Sequence, residues 1–166
     1  LVYSTFLGGA RTDGARGIAV DSTGAVYVTG YTTSTGFPTL RAYQYGLLGG
    51  TDGFLAKLNP YGGEPEVTLG FSTYIGGSGF DQPYSIALDP AGVVYLAGVT
   101  ASSDYPTANA YQSAKAGAYD AFVTKFHVPS GNGPLTLAYS TFFGGAGNDY
   151  AYGVAVDPAG AAYIAG

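Results

Sequence analysis

The chain has 166 residues, of which only 10% are charged, and carries a net charge of −5 with six lysines and arginines. So sparse and acidic a charge set excludes the basic stripe that nucleic-acid binding requires, and the longest apolar runs, such as Val93 to Val99, are too short to span a bilayer. The chain is rich in glycine (28), tyrosine (16) and phenylalanine (9) and has no cysteine, which points to strands and tight turns without disulfides or thiolate metal sites.

Leu1 is not an initiator methionine and both ends fall inside a repeated pattern, so the chain reads as an excerpt of something longer. Residues 1–9 contain Tyr3-Ser-Thr-Phe-Leu-Gly-Gly9 and are expected to form a strand that ends in a glycine pair. Gly17-Ile-Ala-Val-Asp21 follows as a second strand, and Asp21-Ser-Thr-Gly24 carries the residues of a type I turn, with Gly24 free to adopt positive φ. That turn predicts a tight hairpin to a strand over Ala25–Thr29. A connection over Tyr31–Thr51 leads to a strand over Phe54–Leu58 and then to one over Val67–Ile75. A connection of that length is either functional or a packed Ω-like insert.

The whole pattern then recurs. Tyr3-Ser-Thr-Phe-Leu-Gly-Gly9 returns as Phe71-Ser-Thr-Tyr-Ile-Gly-Gly77 and again as Tyr139-Ser-Thr-Phe-Phe-Gly-Gly145, an offset of 71 − 3 = 68 residues that holds without a gap. The turn returns as Asp89-Pro-Ala-Gly92 and Asp157-Pro-Ala-Gly160, and Phe37-Pro-Thr39, Ala42-Tyr-Gln44 and Asp52-Gly-Phe54 each have a partner one repeat later. Between residues 3–70 and 71–138, 26 of 68 positions are identical, enough to treat the units as tandem copies of one structure. Each copy reads as four strands, called a to d. Bulk on both strand faces (Val26 and Val28 against Tyr27 and Thr29) calls for a sheet covered on both sides, as in radially stacked four-stranded blades.

The expected fold is therefore all-β, with β-propeller blades of four antiparallel strands built on a 68-residue repeat. The expected layout is strand d at 1–9, a blade at 17–77, a second at 85–145 and a half blade at 153–166. Eleven strands in that order form an incomplete ring. Its open edges predict that further blades of the same chain, or other copies, complete it and that the segment alone is not a stable monomer.

The ordered succession of these motifs resembles the SBBP (seven-bladed β-propeller) repeat of large bacterial surface and secreted proteins, and more distantly the NHL repeat. The resemblance implies a propeller in an extracellular or cell-envelope setting. It implies no particular chemistry.

Candidate site residues follow from what recurs and what does not. Asp13, Asp81 and Asp149 recur after the glycine pair and Asp21, Asp89 and Asp157 recur in the turn; oxygen-rich loops suit Ca²⁺, but turn aspartates also satisfy backbone amides, and that structural role is the stronger expectation. In the insert, the aromatics Phe37, Tyr43, Tyr105 and Tyr111 are candidates for ligand or partner contact, with packing of the insert on its own blade as the competing role. Arg11, Arg16 and Arg41 do not recur and so mark a local, partner-facing surface. His127 is a lone, non-repeated histidine at the end of strand c, and Glu64 and Glu66 have no acidic counterparts, so neither a triad nor a carboxylate pair is indicated. With no catalytic residue and no cofactor assigned, the sequence favours a non-enzymatic scaffold or binding module presenting loops to a glycan or surface protein. The alternative is a polysaccharide lyase or hydrolase acting from the top face of a complete ring, which requires symmetry-breaking residues that converge on the axis.

Overall fold

In each repeat the Asp-x-x-Gly turn closes a hairpin as its chemistry dictates. The Asp21 carboxylate accepts from the Thr23 and Ala25 amides at 2.9 and 3.0 Å, the Gly24 amide donates to the Asp21 carbonyl at 3.0 Å, and Gly24 sits at φ 85°. Gly92 and Gly160 occupy the same left-handed region at φ 79° and 84°. The computed structural model describes residues 3–59, 67–129 and 131–166, so the positions of Glu64 and Glu66 lie outside the described residues.

Ten strands form among these residues: β1 (Asp13–Val20), β2 (Val26–Thr32), β3 (Asp52–Asn59), β4 (Thr68–Ile75), β5 (Asp81–Leu88), β6 (Val94–Thr100), β7 (Asp120–His127), β8 (Thr136–Phe143), β9 (Gly153–Val156) and β10 (Ala162–Ala165). They make two antiparallel four-stranded sheets, β1-β2-β3-β4 and β5-β6-β7-β8, and a β9-β10 pair. β1 packs on β5 and β5 on β9, so the first strands of successive repeats line the inner side of an arc that does not close. The architecture is all-β and blade-like, as the repeat predicts.

Two expectations are corrected. Residues 3–9 form no hydrogen-bonded strand, which reduces the count from eleven to ten; the described residues hold no third strand for this segment to pair with, and a strand is defined by its partner. Strand a also begins four residues before Gly17 and Ser85. In both sheets it continues across a β-bulge, between Ala15 and Gly17 in β1 and between Pro83 and Ser85 in β5, leaving Arg16 and Tyr84 as the extra, unpaired residues.

The main core lies between the sheets. Tyr27, Leu55, Phe71 and Ile75 from the first meet Ile86, Leu96, Phe122 and Phe126 from the second in one buried cluster. A separate cluster anchors the first insert: the Phe37 ring lies 4.6 Å from that of Phe54, the Phe37 amide donates to the Tyr74 hydroxyl at 2.9 Å, and that hydroxyl donates to the Ser34 carbonyl at 2.6 Å. The insert then runs antiparallel to the outer strand through bridges Leu40 to Ser72 and Gln44 to Tyr74. It is therefore a packed insert, held at its far end by buried Asp52, which accepts from Gln44 Nε2 (2.8 Å) and the Leu48 and Gly49 amides (2.9 and 3.0 Å).

Candidate functional site

The repeated aspartates are consumed by the fold. Asp81 is fully buried and accepts from the Gly77 amide at 2.8 Å, the Ser102 hydroxyl at 2.7 Å and the Thr100 hydroxyl, which ties the glycine pair to the start of the next insert. Asp13 makes the equivalent contacts to Gly9, Thr32 and Ser34. Asp149 accepts from the Gly145 amide at 2.8 Å. Burial pushes the carboxyls of Asp81 and Asp52 up, only partly offset by these donors. In the turn, burial works to raise Asp21, but hydrogen bonds from Thr23 and Ala25 and from Lys57 outweigh it and hold the carboxyl below the usual range. Among the described residues no group of three or more His, Asp or Glu side chains is placed to hold a metal ion.

The predicted contact residues separate into buried and exposed sets. Phe37 and Tyr105, candidates for ligand contact or for packing of the insert on its own blade, are buried in the core; Tyr105 packs at 4.5 Å on Phe122 and its hydroxyl meets Thr124 at 3.1 Å. Arg41 is partly exposed and links the first insert to the second sheet. Its guanidinium donates to Asn132 Oδ1 at 2.5 Å and to the Gly131 carbonyl at 3.4 Å, while its own carbonyl accepts from the Leu135 amide, so it clamps the second sheet to the first insert. Tyr43 packs edge-on against Phe126 across the same junction. Tyr111 is exposed, as is His127, and Arg11 is exposed with its amide donating to Ser34 Oγ.

Arg16 alone leads to a cluster. Arg16, Tyr84 and Tyr152 occupy one repeat position (16 + 68 = 84; 84 + 68 = 152), which in β1 and β5 is the bulge residue. A bulge re-aims its side chain out of the pleat, and here it does so at the inner strand, at the end where strand a begins. The Tyr84 and Tyr152 rings are 5.3 Å apart, Tyr152 lies parallel to Tyr150 at 5.9 Å and 2°, Tyr150 to Tyr119 at 6.2 Å and 18°, and Tyr119 meets Phe80 edge-on at 6.4 Å. In the first repeat the residue at this position, Arg16, has its guanidinium 5.0 Å from the Tyr31 ring centroid. Burial pushes the Tyr84 hydroxyl up, Tyr152 and Tyr150 add to this, and Arg16 opposes it.

Residues 2–38 and 70–106 match the family model of the SBBP beta-propeller repeat. The chain carries SBBP beta-propeller repeats. No curated protein matches it. Each SBBP match runs from the Ser-Thr segment through the hairpin to Pro38 or Pro106, so the matched stretches hold the first two hairpin turns and part of the core between the sheets. Phe80 and Tyr84 lie inside a matched stretch but stand where the first SBBP repeat has Thr12 and Arg16; Tyr119 and Tyr150 lie outside, where earlier repeats have Thr51 and Gln82. The aromatic row is thus what these SBBP repeats add to their common blade. Repetition gave no signal for it, because tyrosine is frequent throughout the chain and the row draws on several different repeat positions.

Proposed function

We propose that these SBBP repeats form a non-enzymatic scaffold and binding module, with the recurring residues building the blades and the residues that depart from recurrence presenting a contact surface. The observation that carries this reading is the row from Phe80 to Tyr84, in which partly exposed tyrosines meet at the inner edge of the arc where the second and third repeats join, at positions where the first repeat has Thr12, Arg16 and Thr51. Tyrosine supplies rigid contact area with a polar tip and little entropy to lose on binding. The resemblance to large surface and secreted proteins supports an extracellular or cell-envelope location, with further blades or other copies completing the ring. Incubation of the full chain with a panel of polysaccharides tests the reading: no new reducing ends or unsaturated products are expected, and turnover of any polymer overturns it.

A further inference from the structure

We infer an oxidative cross-linking site: Tyr84 and Tyr152 couple, through the ring carbons ortho to their hydroxyls, into a dityrosine that joins the second repeat to the third. The co-reactant is a diffusible one-electron oxidant such as the carbonate radical anion. The link is independent of what the module binds.

Composition makes tyrosine the side chain that such an oxidant meets. The thiol and thioether groups that oxidants ordinarily attack first are missing, since the chain has no cysteine and no methionine; it has no tryptophan either, and it carries 16 tyrosines. Several of these phenols have structural duties: the hydroxyls of Tyr27 and Tyr163 donate to turn aspartates and that of Tyr74 to the Ser34 carbonyl. Tyr84 and Tyr152 are held against each other instead. Their ring centroids lie 5.3 Å apart, the shortest tyrosine–tyrosine separation among the described residues, and the rings are tilted by 41° rather than stacked. The backbone around the pair is pinned across the junction, because the Val154 amide donates to Ser85 Oγ at 3.1 Å and the Ala151 amide to the Gly98 carbonyl at 3.3 Å. The Tyr152 amide is fixed in turn by the Ala165 carbonyl at 2.8 Å. Side-chain rotation alone therefore has to bring the ring edges together, and the two radicals need not find each other by diffusion.

Each phenol gives one electron and its hydroxyl proton to a carbonate radical anion, which leaves as bicarbonate. The two phenoxyl radicals then pair their odd electrons in a new carbon–carbon bond, and the hydrogens on the joined ring carbons move to the oxygens, restoring both phenols. Tyr84 is partly exposed and open to a small oxidant. The rest of the row feeds the pair: Tyr150 lies 5.9 Å from Tyr152 and Tyr119 lies 6.2 Å from Tyr150, so a radical formed on either can pass between like phenols to Tyr152. The preceding junction cannot form this link, since Arg16 stands at the repeat position of Tyr84 and Tyr152. A covalent tie between two repeats also restricts the unfolded chain, so the oxidised form is expected to melt higher.

The test exposes the dilute full chain to photolytically generated carbonate radical, separates products by size, and maps the uncoupled-chain fraction by tandem mass spectrometry. That fraction is expected to lose the mass of two hydrogens, to gain dityrosine fluorescence and to yield a peptide pair joined at Tyr84 and Tyr152. Tyr84→Phe and Tyr152→Phe keep the ring and remove the phenol, so each is expected to melt as the unoxidised parent does and to lose the linked pair. Tyr45→Phe removes an exposed phenol away from the row and keeps it. Dityrosine confined to other pairs, coupling only between chains, oxidation that ends in hydroxylated tyrosine without coupling, or loss of the link in Tyr45→Phe overturns the cross-linking site. None of those results touches the scaffold reading, which polysaccharide turnover overturns.

Discussion

The second strands of the first two blades, β2 and β6, occupy the same place in the same repeat, yet they are buried differently. In β6 every residue from Val94 to Thr100 is buried, whereas β2 alternates, with Val26, Val28 and Tyr31 partly exposed and Tyr27, Thr29 and Thr32 buried. The sequences are close, Val-Tyr-Leu-Ala-Gly-Val-Thr against Val-Tyr-Val-Thr-Gly-Tyr-Thr. The difference lies in the neighbours. The second sheet packs against the first on one face and against β9 on the other, while the first has a partner on one face only among the described residues. A blade of this repeat is thus only half of a core, and stacking supplies the other half.

The largest effect follows from that contrast. Leu96→Ala removes a fully buried side chain and is expected to cost about 2–5 kcal/mol, whereas Val28→Ala at the equivalent position costs about 1 kcal/mol because its face is partly open; denaturant melts of the two variants measure the gap directly. Equal losses would mean that the open face of the first blade is covered in solution.

The aspartate clamp gives a pH-dependent comparison. Burial raises the folded-state pKa of Asp81, so the folded chain favours its protonated form; the stabilisation this provides is present below the ordinary carboxylate range and is lost as pH rises through the raised value. Thermal melts from about pH 4 to about pH 7 should therefore show the wild-type midpoint falling relative to that of Asp81→Asn. A parallel pair of curves would show that Asp81 titrates as it does in the unfolded chain.

The turns should not distinguish the blades at all. Gly24→Ala and Gly92→Ala each force a side chain into the left-handed region and should each cost about 1 kcal/mol, since the strain is local and independent of stacking. The smallest effect concerns the lysines at the ends of the third strands. Lys57 lies 3.3 Å from Asp21 and 4.8 Å from the Tyr27 ring, while Lys125 keeps the ring contact to Tyr95 and, among the described residues, makes no ion pair. Lys57→Ala is expected to cost up to about 1 kcal/mol, Lys125→Ala somewhat less.

Much of this was legible from the residues. Asp-x-x-Gly announced each hairpin because its chemistry is complete within four residues, and the 68-residue offset announced four-stranded units. Arg16 and Tyr84 show where the reading stopped: a bulge is set by pairing with the neighbouring strand, and no local pattern marks it, so strand a appeared to start at Gly17. Residues 3–9 read as a strand because they copy β4 and β8, but copying a sequence does not supply a partner. Asp52 looked like part of a motif and proved to be a buried anchor for the insert, while Arg41 looked partner-facing and proved to be a clamp between blades; both roles depend on contacts between segments distant in the chain.

Amide hydrogen exchange, resolved by strand, tests most directly whether stacking makes the core. The account predicts that the slowest amides lie in β6 and β7, exchanging only through global unfolding, and that β1 and β2 exchange faster through local opening of the first blade. Equal protection of β2 and β6 would contradict it, showing that each blade carries its own stability whatever packs beside it.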